Sequence, residues 1–348
     1  MIDSRVFKNI LFSILYWISV SIFFVITRYG ALRFDLDLEN NAGILPDDIF
    51  SSVFFGLLAG IFLGLYESYE SVIYKERRSF SFVLVTKTLI YVFIFWVVTF
   101  IQVTVENNSL SSGVAFILTP DGIISLLNFA VYSLLFHLVR LMNRSMGPGI
   151  LTEYLMGKYF IPREEDRIFL FIDLKSSTTI AEKIGHKTYS SLLQDCFENL
   201  TKPIIKHKGQ VYQYVGDEVV ITWKTNEGIK ELNCLGFFFS FLEELEKKRR
   251  YFMDKYQVFP EFKAGMSSGM VTVAEVGELK SEISFHGDVL NTASRLQGLC
   301  NDHGKKMLIS EFLYEELGNT DLFDIQFIGD LQLKGKERKV KIYWVDQR

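Results

Sequence analysis

The chain has 348 residues, of which 49% are hydrophobic and 15% aromatic, with a net charge of -4. That length leaves room for more than one domain, and the slightly acidic balance excludes a nucleic-acid binder working through a basic surface. Cys196, Cys234 and Cys300, without C-x-x-C spacing, exclude a disulfide framework and a structural zinc site, and read as small buried residues in a reducing compartment.

Apolar residues crowd the first 142 positions and charges gather after Pro162, so a membrane part followed by a soluble part is expected. The expected boundaries are 1–145 for the membrane part, 146–164 for a coupling junction and 165–348 for the soluble part. Apolar segments at 9–27, 49–66, 88–105 and 123–142 are each close to the roughly 20 residues a helix needs to cross a bilayer. The first follows Arg5 and Lys8, but it exceeds the about 7 to 15 residues of a signal-peptide core and lacks a small-residue cleavage site, so an uncleaved span is expected.

Lys75, Arg77, Arg78, Arg140 and Arg144 share a side with the N-terminal Arg5 and Lys8, whereas Asp35, Asp37, Glu39, Asp47, Asp48 and Glu106 fall on the other, with Arg28 and Arg33 as exceptions. Excess Lys and Arg mark the cytoplasmic face. Both chain ends are therefore expected in the cytoplasm, the spans in the inner (plasma) membrane and the lipid bilayer as a partner. Gly56, Gly60 and Gly64 would line one helix face and let another helix approach, within one subunit or between two. Lys87 is expected to snorkel to the interface, and His137 reads as a packing histidine before a sensor or ligand. Paired intramembrane carboxylates and broken helices are lacking, which gives transport little support.

After the breaker S-M-G-P-G, residues 150–160 read as a short amphipathic turn lying under the bilayer or against a partner's copy. From Arg167 the pattern turns mixed α and β. An apolar strand, R-I-F-L-F-I-D, ends at Asp173 and runs into Ser176, Ser177 and Thr178. Such a strand end presents a carboxylate beside backbone amides, suited to a metal ion and a phosphate, although a carboxylate capping the next helix explains an isolated Asp equally simply. A helix to about residue 207 follows, then strands at 209–215 and 219–223 joined by a tight G-D-E turn. A long helix over 229–256 comes next, then strands at 261–268 and 270–276, a break at 286–288, a helix over 289–299, and closing strands at 306–309 and 339–345. Asp217 in the turn is the partner Asp173 needs, because paired carboxylates can share divalent ions that activate an attacking oxygen. Asn291 and Arg295, four apart on the helix L-N-T-A-S-R-L-Q, share a face that offers a hydrogen bond to a sugar and a charge for a phosphoryl oxygen.

In order and together, these motifs over about 167–344 resemble the class III nucleotidyl cyclase catalytic domain, and the membrane half is more loosely similar to the four-span anchors of some bacterial cyclases. The resemblance implies an all-α transmembrane four-helix domain followed by an α+β ferredoxin-like cyclase domain. It implies that Asp173, the backbone carbonyl of Leu174, and Asp217 hold two divalent metal ions, Mg or Mn. Asn291 and Arg295 would be the catalytic pair, and Ser176, Ser177, Thr178 and Lys334 would bind phosphate. It further implies a homodimer whose composite sites take the aspartates from one subunit and the Asn/Arg pair from the other, cyclising ATP to 3',5'-cyclic AMP and pyrophosphate, with no nucleic acid involved. No His or Glu is obviously placed as a general base. The base-reading positions depart from the family, with Gln213 where adenylyl cyclases usually carry Lys and Ser284 where they carry Asp or Thr. The guanylyl Glu and Cys are absent too. A Gln amide donates and accepts, so GTP stays open beside ATP. A catalytically inactive nucleotide-binding relay is a further alternative. A diguanylate cyclase fits less well, since V-G-D-E-V replaces G-G-D-E-F and the N-T-A-S-R helix has no counterpart there.

Overall fold

The structure is a computed structural model describing residues 4–35, 45–73, 79–147, 150–318, 320–332 and 339–348. The chain divides into two units, Met1–Met146 and Gly147–Arg348.

The first unit is helical throughout its described part: α1 Ser4–Asp35, α2 Leu45–Ile73, α3 Phe80–Glu106, α4 Leu110–Ile117 and α5 Pro120–Met146. Ser79 starts α3 by accepting the Phe82 amide at 3.3 Å, and Thr119 does the same for the Gly122 amide at 3.1 Å ahead of α5, as N-cap hydroxyls do. Helix α4 occupies what the sequence suggests is a loop. Three stretches are long and apolar enough to cross a membrane, Asn9–Ile26, Phe80–Val105 and Gly122–Met146; the apolar run of α2, Gly56–Ser68, is shorter among the described residues.

The glycine stripe packs inside this chain. A Cβ on Gly56, Gly60 or Gly64 would lie 2.8, 2.4 or 3.0 Å from the Cα of Ile18, Ile14 or Ile10, so α1 and α2 meet backbone to backbone. Trp17, Leu63, Tyr91 and Phe136 form the core beside this contact.

Lys87, expected to reach toward the interface, has a partner inside the helical unit. Its ammonium donates to buried Glu67 at 2.8 Å, which also accepts from the Tyr91 hydroxyl at 3.1 Å. Arg140 Nη1 lies 3.4 Å and His137 Nδ1 3.7 Å from the same carboxylate. His137 is thus a buried packing histidine whose Nδ1 faces Glu67, while its Nε2 has no hydrogen-bond partner among the described residues.

The second unit starts with α6 Ile150–Leu155. Leu151 is buried, while Leu155, Met156, Phe160 and Ile161 are exposed. Tyr159 anchors this segment. Its carbonyl accepts the Glu275 amide at 2.9 Å, and its hydroxyl donates to Glu165 at 2.9 Å.

Strand β1 Arg163–Leu174 is followed by α7 Ser177–Ile184, α8 His186–Glu198 and α9 Thr201–Lys206, then the hairpin β2 Gln210–Val215 and β3 Glu218–Lys224. Helices α10 Thr225–Ile229, α11 Asn233–Lys247 and α12 Arg249–Tyr256 lead to β4 Phe262–Val276 and β5 Glu282–His286. The unit closes with α13 Asp288–Leu299, β6 Met307–Ser310, α14 Glu311–Glu316, β7 Phe323–Gln332 and β8 Lys339–Gln347. The sheet order is β2-β3-β1-β4-β6-β8-β7, with β5 paired to β4. Each of its first four strands runs antiparallel to its neighbours among them, and helices fill the β1–β2 and β3–β4 crossings. This is the β-α-β-β-α-β order of a ferredoxin-like unit, extended by β6, which runs parallel to β4.

One face of β1 (Ile168, Leu170, Ile172) packs against α8 and α11 through Leu192, Cys196, Phe237 and Phe241. The other face (Phe169, Phe171) packs with Val289 and Ala293 of α13. Both faces are thus apolar, which is why β1 reads as a continuous hydrophobic run. All three cysteines are buried and free.

Four expectations need correction. The helix expected to about residue 207 is three, with breaks at Gly185 and at Asn199–Leu200. The helix expected over 229–256 is broken, because Glu231 and Leu232 take positive φ values of 55° and 53° and a further break falls at Lys248. The strands expected at 261–268 and 270–276 are one, because the ladder runs through Gly269 opposite Arg167. Strand β1 begins at Arg163, since polar residues 163–166 pair with 270–273 of β4.

Candidate active site

Asp173 is the penultimate residue of β1, directly across from Glu218 of β3 and Lys263 of β4. The chain then leaves the sheet through Lys175, whose amide donates to the Glu261 carbonyl at 2.8 Å, and through Ser176, held left-handed at φ 55°. Helix α7 starts at Ser177 with Ser176 as its N-cap, so Asp173 is not the cap. Its Oδ2 accepts from Gln297 Nε2 at 2.7 Å, and Lys263 Nζ lies 3.4 Å away. Ser176 and Thr178 are exposed and Ser177 half-buried beside it, while the Leu174 side chain is buried.

Asp217 sits in the β2–β3 turn after Gly216, whose φ of 61° is a left-handed conformation that glycine adopts without strain. The structure brings Asp173 and Asp217 together. Burial raises the Asp173 carboxyl above its ordinary range and the Asp217 charge raises it further, against the pull of Lys263. Glu218 is pushed up to about 7 by burial first, then by Asp173 and Asp217. Asp217 also adds to the effect of burial in raising the Tyr189 hydroxyl.

Among the described residues no group of three or more His, Cys, Asp or Glu is arranged as a metal cage. Mg is commonly bound by only one or two carboxylates, with water and substrate phosphates completing the shell. Asp173 and Asp217 fit that use, because their crowded negative charge is what a divalent cation would relieve and because Gln297 and Lys263 both approach Asp173 on Oδ2.

Asn291 and Arg295 lie on α13, Asn291 exposed and Arg295 half-buried. Within this chain neither makes a side-chain hydrogen bond or ion pair to the described residues. At about 100° per residue, Arg295 and Gln297 project about 200° apart, so the Asn/Arg face looks away from the Asp173 that Gln297 touches. Gln213 is exposed on β2, and Ser284 is half-buried on β5 opposite Ala274. Their strands meet through the neighbouring pair Tyr212 and Phe285, edge to face with ring centroids 4.9 Å apart. Lys334 lies outside the described residues.

Sequence reasoning missed Glu218, Lys263 and Gln297. Glu218 stood in the G-D-E turn and Gln297 closed the L-N-T-A-S-R-L-Q run, but Lys263 reaches Asp173 only through strand register and left no local signal.

Residues 162–347 match the family model of the adenylate and guanylate cyclase catalytic domain. The chain is 30% identical over 227 residues to adenylate cyclase 2 of Rhizobium meliloti (strain 1021), covering 64% of this chain and 62% of that one. It is 25% identical over 243 residues to adenylate cyclase 1 of the same organism, covering 68% and 35%. The matches thus span less than two thirds of these relatives' length. A solved structure of a bacterial light-regulated adenylyl cyclase superposes with a TM-score of 0.57 at 17% identity, over 66% of this chain and 67% of that one, a likeness of fold. The match over just more than half its length makes this chain a member of the adenylate and guanylate cyclase catalytic domain family.

Proposed function

We propose that the chain is a multi-pass membrane adenylate cyclase that converts ATP to 3',5'-cyclic AMP and pyrophosphate, with its catalytic part, 165–348, in the cytoplasm. The observation that carries this reading is the convergence of Asp173 and Asp217 at the end of β1, where burial and then the Asp217 charge raise the Asp173 carboxyl, in a domain of cyclase family. Two Mg or Mn ions, when bound, supply activation of the ribose 3'-hydroxyl and neutralise charge on the phosphates. Asp173, Asp217 and the Leu174 carbonyl hold that charge in place, and Ser176, Ser177 and Thr178 offer donors to the phosphates at the start of α7. Arg295 stabilises charge at the α-phosphate, Asn291 orients the ribose, and Lys334 holds the terminal phosphates.

The opposite facing of Gln297 and the Asn291/Arg295 pair on α13 supports a site completed by a second copy. In a homodimer each aspartate pair works with the partner's helix. Residues 1–145 supply the anchor, and the four spans proposed include α2 although its apolar run is the shortest. Residues 146–164 couple the two parts. Gln213 and Ser284 read the base, and an amide that donates and accepts leaves GTP as the second substrate to test. The deciding experiment incubates purified full-length protein with Mn and either ATP or GTP and identifies the product by mass. Cyclic AMP is expected. Cyclic GMP alone would reassign the base, and no cyclic product from either would overturn the reading.

A further inference from the structure

Helix α13 touches Asp173 from the side opposite its Asn/Arg pair, and it does so where it lies directly on β4. A Cβ on Gly265 of β4 would lie 2.2 Å from both the Ala293 carbonyl oxygen and the Gln297 amide nitrogen, so helix and strand backbones are in direct contact. Two residues before Gly265, Lys263 stands in register with Asp173. Gln297 is buried, with 7% of its surface exposed, and its amide reaches Asp173 Oδ2 at 2.7 Å. The Lys263 ammonium approaches the same oxygen at 3.4 Å. Both donors approach Oδ2, which fixes the rotamer of the carboxylate and directs Oδ1 to other work.

We propose that Gln297 is a positioning residue for Asp173, and that α13 therefore serves both sites of a homodimer: Gln297 orients the aspartate of its own chain while Asn291 and Arg295 complete the partner's site. This rests on the composite-site reading above. A ligand's hydrogen-bonded neighbour sets its orientation and basicity, and losing such a neighbour commonly costs about 10- to 100-fold in metal affinity or activity. The same helix thus joins the two sites mechanically, since a shift of α13 that improves one face's contacts displaces the other.

Two measurements on the full-length protein test this. The first is Mn affinity without nucleotide, read from the free-ion electron paramagnetic resonance signal. Gln297→Met keeps the volume and removes the donor, and should weaken Mn binding about tenfold or more. Gln297→Asn withdraws the amide by one methylene and should fall in between, which keeps the test readable if the Met variant folds poorly. Unchanged affinity in a folded variant overturns the proposal.

The second is complementation in co-expressed heterodimers. Gln297→Met paired with Asn291→Ala should regain activity, because one site then has an unaltered aspartate side and an unaltered Asn/Arg side. Paired with Asp173→Ala it should not, because both sites then carry a defect on the aspartate side. The reverse pattern would place Gln297 with the Asn/Arg pair and overturn the proposal. If Asp173→Ala and Asn291→Ala fail to complement each other in confirmed heterodimers, the composite-site reading has failed instead.

Discussion

Gly265 and Gln297 meet backbone to backbone: the Cβ that Gly265 lacks would sit 2.2 Å from the Gln297 amide nitrogen. The neighbours are main-chain atoms of a helix, which cannot step aside as a flexible side chain can. Gly265→Ala is therefore expected to lower the stability of the catalytic unit by about 3 kcal/mol, the upper range for overpacking a tight core, and to abolish activity by lifting α13 off β4. Thermal unfolding of the purified variant measures the first effect, and cyclic nucleotide production the second.

The proposed composite site makes its own prediction. Asp173→Ala and Asn291→Ala should each eliminate turnover as homodimers, while a heterodimer carrying one of each retains one intact site of two and should recover up to about half the wild-type rate. Tandem-tagged heterodimers assayed for cyclic product give the answer.

The carboxylate pair was legible in the sequence because its signals are local. An apolar strand stops at Asp173, and Gly216 and Asp217 spell a turn. What holds Asp173 in place was not legible. Lys263 arrives through the pairing of β1 with β4, and Gln297 through a helix laid across β4 at Gly265, and both depend on contacts between distant stretches. The breaks at Glu231, Leu232 and Lys248 were hidden because apolar residues continue at helical spacing on either side. Strands β5 and β7 alternate apolar and polar residues, as in Phe323, Ile325 and Phe327, yet neither stretch was assigned an element from the sequence. In the first unit Glu67 fell one residue beyond the apolar run 49–66, so the acceptor for Lys87 went unnoticed.

His207 provides a pH test away from the acidic site. Its ring nitrogen Nε2 lies 2.8 Å from Ser240 Oγ, the Cβ missing from Gly236 would meet the ring, and Lys206, Asn233 and Glu243 are the other groups acting on it. Burial, then Lys206, lowers its pKa below the ordinary value. The folded state therefore binds fewer protons than the unfolded state, and the stability contribution is present above the unfolded pKa of about 6.5 and lost as pH falls toward the folded value. Unfolding midpoints taken from about pH 7 to about pH 5 should drop, and His207→Gln should flatten that slope.

Glu67 gathers Lys87, Tyr91, His137 and Arg140 from two other helices. Glu67→Ala leaves buried positive charge without its counterpart, which commonly costs about 3 to 5 kcal/mol. The unfolding midpoint of the helical unit in detergent should fall accordingly. Adding Lys87→Met to Glu67→Ala should return part of the loss, as expected for two groups that act on each other.

The anchoring of Tyr159 gives β4 a second use. The Tyr159 carbonyl grips the Glu275 amide near one end of the strand, and Lys263 beside Asp173 lies near the other. A strand rises about 3.3 Å per residue, so these points stand about 40 Å apart along one hydrogen-bonded rod. Its middle is clamped by β1 on one side and, through its early residues, by β6 on the other. A rod clamped in this way resists stretching and transmits torque. A twist applied at the segment that follows the helical unit would thus reach the carboxylates as a change in angle, with little change in distance.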